Sequence, residues 1–161
     1  MPRIKCILVA DDNDNDVQLI LMALGRHKSR HQVAVARDGA EALDYLYRRG
    51  EFQSRSAGNP VVILLDLKMP RVDGLEVLRQ IKGDPQLKAI PVVMLTSSRE
   101  ESDVHTSYQL GVNAYVVKPV DFQEFLEAIK ETEHFWAVLN EPPPEYPTSA
   151  NADSSYVSVA V

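Results

Sequence analysis

The sequence predicts a doubly wound α/β fold, and three observations predict it. Five short runs rich in Val, Ile and Leu recur along the 161 residues, at Ile4–Ala10, Gln32–Ala36, Val61–Asp66, Pro91–Thr96 and Asn113–Lys118. Amphipathic helical stretches separate them. Turn formers mark the junctions at Gly39, Asp73-Gly74, Gly83-Asp84-Pro85 and Pro119. Strands alternating with helices mean a parallel sheet with right-handed crossovers. A chain this long favours one domain, because two halves would each lack an adequate core.

The elements follow in chain order. The first run leads into Val17, Ile20, Leu21 and Leu24, spaced i, i+3, i+4 and i+7 along one helix face. The middle three runs barely alternate, which suits strands buried on both faces. Residues 48–60 are polar and aperiodic, longer than an ordinary connection, and predict a solvated loop insertion. After the third run, Leu75, Leu78 and Ile81, with Val77 beside them, form a second apolar stripe. The last helix carries Phe122, Phe125, Leu126 and Ile129 at the same spacing, then Phe135-Trp136 and Val138-Leu139. From Asn140 onward, Pro142-Pro143-Pro144 and Pro147 end the helix, and Ser and Asn follow. The expected division is a folded unit over 1–139 and a flexible tail over 140–161. Val157, Val159 and Val161 alternate, as an added edge strand would.

Composition excludes several classes of function. The net charge of −6 argues against nonspecific grip on nucleic acid, which needs clustered Lys and Arg. No apolar run reaches the roughly 20 residues of a membrane span. The start, Met1-Pro2-Arg3-Ile4-Lys5-Cys6, has no signal-peptide apolar block, so a cytoplasmic protein is expected. A single cysteine, Cys6, rules out an intrachain disulfide or a multi-cysteine metal site.

The chemistry lies at the strand ends, where open α/β sheets bind ligands. Asp11-Asp12 follow the first run and Asp66 closes the third. Adjacent strands sit about 4.8 Å apart, so these carboxylates crowd one small volume. Crowded acids ionise together only with a cation between them, and oxygen donors with room for water suit Mg²⁺ rather than zinc. Solvated acids at a sheet edge would explain Asp14 and Asp16, as helix N-terminal charges meeting the dipole. They explain Asp66 poorly, because five apolar residues lead straight into it. Thr96 ends the fourth run and Lys118 the fifth. Together these groups compose a phosphoryl site with Asp66 as nucleophile, Thr96 as donor and Lys118 as countercharge.

Rival motifs fail on spacing. Asp12-Asn13-Asp14-Asn15-Asp16 opens like an EF-hand, but Val17 and Ala23 occupy the turn-glycine and closing-glutamate positions. A haloacid-dehalogenase-type phosphatase would need its second acid at Lys68. No G-x-x-x-x-G-K-[ST] is present. His27, His31, His105 and His134 are scattered, as solvated surface residues are.

Asp11-Asp12, Asp66 within Leu64-Leu65-Asp66-Leu67-Lys68-Met69-Pro70-Arg71-Val72-Asp73-Gly74, Thr96-Ser97 and Lys118-Pro119 resemble a CheY-like receiver domain over about residues 4–135. The loop at 48–60, Ser107–Tyr115 and the ending Phe135-Trp136 then Leu139–Pro143 resemble cyanobacterial phytochrome response regulators of the Rcp type. The resemblance implies a flavodoxin-like sheet of strand order 2-1-3-4-5. It implies that Asp66 accepts phosphate from a histidine kinase, a phytochrome in this subfamily, without turnover on other substrates. Asp11, Asp12, Asp66 and the backbone carbonyl of Lys68 would hold Mg²⁺, and Thr96 and Tyr115 would be the switch pair. Lys68 and Ser98 fall at variable positions flanking the phosphoryl group. A cis Lys118–Pro119 bond is common in the family. Receivers pair through the fourth helix, fifth strand and fifth helix, so the extra aromatics at Phe135 and Trp136 predict a homodimer. The competing classes are a pseudo-receiver that never takes phosphate and a metal-dependent phosphatase; intact Asp11, Asp12, Asp66, Thr96 and Lys118 oppose the first, and the missing second acid opposes the other.

Overall fold

The computed structural model describes residues 5–25, 31–56 and 58–144. Met1–Ile4, His27 and the tail valines lie outside them. Five parallel strands, β1 (Cys6–Ala10), β2 (Gln32–Ala36), β3 (Val62–Leu65), β4 (Val92–Thr96) and β5 (Ala114–Val117), form one sheet in the order β2-β1-β3-β4-β5. The helices are α1 (Asp14–Gly25), α2 (Gly39–Tyr47), α3 (Gly74–Gly83), α4 (Glu101–Gln109) and α5 (Phe122–Glu133). The fold class and strand order are those the sequence predicts.

Both faces of the central strands are dry because successive side chains alternate between two cores. Ile7, Val9, Val62, Leu64, Val93 and Leu95 pack with Ile20, Leu24, Phe125, Leu126 and Ile129 of α1 and α5. Leu8, Ala10, Ile63, Leu65, Val92 and Met94 pack with Ala42, Leu46, Val77, Leu78 and Ile81 of α2 and α3. Burying each such Leu or Ile contributes about 1.5–3 kcal/mol. Two helical layers therefore clamp the sheet, and only its strand ends remain open for polar chemistry. Among the described residues, no helix is long and apolar enough to cross a membrane.

Helix starts repeat one device. Asp38, Asp73 and Asp121 each accept a hydrogen bond from the backbone N–H three residues on, at Glu41, Glu76 and Glu124. The D-x-x-E spacing satisfies an orphan donor and puts a second acid at the positive end of the helix dipole. Asn13 does the same for α1, its Oδ1 accepting from Asp16 N–H at 3.0 Å.

Three expectations need correction. Residues 48–60 are not simply a solvated loop. Gly50–Phe52 make one 3₁₀ turn, and Phe52 meets Tyr45 edge-on at 5.3 Å. The Arg55 guanidinium lies over the Tyr45 ring at 4.3 Å and donates to the carbonyls of Tyr45, Leu46, Ser56 and Gly58. One arginine thus caps the end of α2 and ties the insertion to it. Phe122 does not join the core stripe; it is 45% exposed on the first turn of α5. The Lys118–Pro119 bond is trans, as no described peptide bond is cis. Trans is the lower-energy isomer, and Lys118 reaches its carboxylate partners from it.

The final helix also changes character at its end. His134–Leu139 wind as a π-helix, closed by Asn140 N–H donating to Phe135 C=O at 2.7 Å. Neighbours on a helix point in different directions, and the two aromatics divide accordingly. Trp136 packs half-buried against the α1–α5 core, while Phe135 is 49% exposed and meets it edge-on at 4.9 Å. The Lys5 ammonium donates to Ala137 C=O at 2.6 Å, joining β1 to this last turn.

Candidate functional site

The sheet itself places the site residues. One backbone bond beyond each regular ladder fixes them: Asp11 N–H donates to Ala36 C=O, Asp66 N–H to Ala10 C=O, and Lys118 N–H to Thr96 C=O, at 2.8–3.0 Å. Three carboxyl-terminal strand ends are thereby held level. Gly39 and Gly74 then let the flanking helices close on them. A Cβ on Gly39 would stand 1.9 Å from Val72 O, and one on Gly74 would stand 2.1 Å from Asp66 O. Nothing larger than hydrogen fits at either.

Asp11, Asp12 and Asp66 converge, each offering a carboxylate oxygen within 4.8 Å of the others. Asp11 and Asp66 are buried and Asp12 is exposed. Hard oxygen donors in this number, open to solvent on one side, fit a Mg²⁺ ion that keeps some of its waters. Lys68 lies two residues past Asp66, its side chain exposed, on the rim of an open cleft. That cleft is lined also by Asp12, Asp16, Thr96, Ser98 and Lys118.

Lys118 is the charge at the centre. Its Nζ lies 2.8 Å from Asp11 Oδ2, 2.8 Å from Asp16 Oδ2 and 3.6 Å from Asp66 Oδ2. Burial alone would pull its pKa down, but the bonds from Asp11 and Asp16 outweigh this and raise it. Asp66 moves the other way from an ordinary carboxylate. Burial pushes it up to about 6, with Asp11 adding to the rise; the Lys118 charge, the Leu67 N–H and the Thr96 hydroxyl only partly offset it. A carboxylate held so high is under-solvated and gains from any cation placed beside it.

The Thr96 hydroxyl accepts from Ser98 N–H at 3.3 Å, while the Tyr115 hydroxyl donates to Ser98 C=O at 3.0 Å. Ser98 Oγ donates to Asp103 at 2.5 Å. The loop after β4 is thus held from three sides, with Thr96 and Tyr115 gripping opposite ends of one residue. Burial raises the Tyr115 pKa, so it stays a neutral donor at neutral pH.

All seven residues singled out in the sequence lie at this end of the sheet. Asp16 is the one that sequence reasoning misplaced. Read as a solvated helix acid, it is instead a full partner of Lys118. No local signal marks it, because an acid in the first turn of a helix is already explained by the dipole.

Comparison with known proteins places the chain in a family. The model of the response regulator receiver domain matches residues 7–130. Response regulator Rcp1 of Synechocystis sp. is 39% identical over 132 residues, covering 82% of this chain and 88% of that protein. A crystal structure of the Mn²⁺-bound form of response regulator Rcp1 superposes with a TM-score of 0.81 at 38% identity, covering 87% of this chain and 99% of that one. The phosphorylated cyanobacterial phytochrome response regulator RcpA gives a TM-score of 0.83 at 42% identity, covering 88% of this chain and all of that one. Bacteriophytochrome response regulator RtBRR is 61% identical with a TM-score of 0.70, covering 89% of this chain and 86% of that one. With one receiver pattern spanning most of its length and the acidic cluster at its strand ends, this chain belongs to the response regulator receiver family.

Proposed function

We propose that this protein takes a phosphoryl group on Asp66 from a histidine kinase of the phytochrome class and signals through its surface. The observation that carries the reading is the meeting of Asp11, Asp12 and Asp66 beside Lys118 at the strand ends. An Asp66 carboxylate oxygen attacks the phosphorus of a phosphohistidine. The P–N bond breaks, the imidazole takes a proton, and an acyl phosphate remains on Asp66. Lys118 balances the charge of the phosphoryl oxygens and Thr96 donates to one of them. Asp11, Asp12, Asp66 and the Lys68 backbone carbonyl would hold Mg²⁺, which when bound supplies the positive charge this acid-rich site lacks. Movement of Thr96 toward the phosphoryl group releases Ser98 N–H, and Tyr115 follows because it grips the same residue. The protein is a phosphoryl acceptor rather than a turnover enzyme. Similarity to RcpA and RtBRR supports the phytochrome pathway.

Acetyl phosphate with Mg²⁺ tests the reading. One phosphoryl group per chain is expected, none in EDTA, and none in Asp12→Ala with an unchanged melting curve. Normal labelling in EDTA would remove the metal site from the proposal.

Residues 1–139 form the receiver unit in this proposal, acting in the cytoplasm, and 140–161 its tail; Leu139 ends the last helical turn before Pro142. A homodimer is proposed through α4, β5 and α5 with the π-helix. Exposed Tyr108, Phe122, Phe135, Val138 and Leu139, all large apolar side chains on these elements, support it. Phe135 tests it better than Trp136, whose ring also packs on its own core. Sedimentation should show Phe135→Ala weakening a wild-type dimer by at least about tenfold, a hot-spot effect. A wild type that stays monomeric at micromolar concentration, phosphorylated or not, removes the dimer.

A further inference from the structure

We infer that Asp16 is a positioning residue that competes with the phosphoryl group for Lys118, and so sets how readily the site takes a phosphoryl anion. The inference rests on the reading of Asp66 as phosphoacceptor. An ammonium has three N–H donors. In Lys118 two of them are used at 2.8 Å, on Asp11 and Asp16, and the distance to Asp66 is 3.6 Å, beyond a good hydrogen bond. Lys118 is therefore drawn off the acceptor.

The two competitors are not equivalent. Asp11 belongs to the acid triad, so a cation bound there shares its charge and loosens its hold on Lys118. Asp16 stands outside that triad, on the first turn of α1, and keeps its full charge for the lysine. It is only partly exposed, with a side chain 24% accessible, so solvent screens the pair incompletely. A phosphoryl group arriving on Asp66 must thus win Lys118 from Asp16 while also meeting the repulsion of that carboxylate. Both effects act in one direction. Removing the charge at Asp16 frees the lysine and lowers the repulsion, while the cap of α1 is kept, because that cap is the Asn13 side chain accepting the Asp16 N–H.

Beryllofluoride, a phosphoryl mimic, reads this without turnover. Its binding is titrated calorimetrically at saturating Mg²⁺, with Mg²⁺ affinity measured separately so that saturation holds for every variant. Asp16→Asn should bind beryllofluoride about threefold to tenfold more tightly, the scale of one partly screened charge pair. Asp16→Glu should return toward the wild-type value, and neither variant should shift the melting curve enough to explain the change. Unchanged or weaker binding in Asp16→Asn overturns the inference. Failure of the wild type itself to bind beryllofluoride overturns the Asp66 reading instead, so the two failures are distinct.

Discussion

Asp66→Asn should melt several degrees above the wild type at pH 7 in metal-free buffer. The Asp66 carboxyl is raised to about 6 from an ordinary 3.8, chiefly by burial and then by Asp11, with Lys118 pulling it back. A folded-state pKa above the unfolded value means the native protein binds the proton more tightly. Stability from this group is present below about pH 4 and is lost as pH rises through about 6. At pH 7 the charged carboxylate costs the fold on the order of 1–3 kcal/mol, which asparagine avoids. The gain should therefore fade as pH falls from 7 toward 4, and shrink when Mg²⁺ is added to the wild type. A variant that melts lower, or gains equally at every pH, would contradict the electrostatic reading.

Gly74→Ala should do the reverse, and by more. Its Cβ would stand 2.1 Å from Asp66 O and 2.8 Å from Leu67 Cα, both backbone atoms at the end of β3. The Gly74 N–H already donates to Leu67 C=O at 2.7 Å, so the contact cannot open without breaking that bond. A loss of about 3 kcal/mol is expected, a fall in melting temperature of roughly 6–12 °C. Mg²⁺ affinity should fall too, because Asp66 and the Lys68 carbonyl sit on the displaced backbone. Gly83→Ala at the other end of α3 is the control; nothing lies within 4 Å of its Cβ, and the melting temperature should hold or rise slightly. Equal effects at the two glycines would mean that the contact at Gly74 relaxes freely.

What the sequence reveals here follows from how local each signal is. Apolar runs such as Val62–Leu65 announce buried strands because every side chain in them is dry, and the acids directly after them stand out by contrast. Asp66 is legible for that reason, as are Thr96 and Lys118. Asp16 is not, since a carboxylate in a first helical turn has a sufficient local explanation, and its bond to Lys118 spans 102 residues. The Arg55 staple escapes the same way: its acceptors are mostly backbone carbonyls, which no side-chain pattern encodes. Phe122 obeys the helical period yet points past the end of the core, because periodicity gives a direction and not an extent. The caps at Asp38, Asp73 and Asp121 were open to reading, as each carries Glu three residues on. The π-turn at His134–Leu139 has no compositional mark and was not legible.

The most direct test is to locate the phosphoryl group. Wild type and Asp66→Asn are treated with acetyl phosphate and Mg²⁺, digested under acid conditions that preserve acyl phosphates, and mapped by mass spectrometry. A single phosphoryl group on the wild-type peptide containing Asp66, removed by hydroxylamine and absent from Asp66→Asn, is the predicted result. No adduct on the wild type, or one that persists in Asp66→Asn, would contradict Asp66 as the phosphoacceptor.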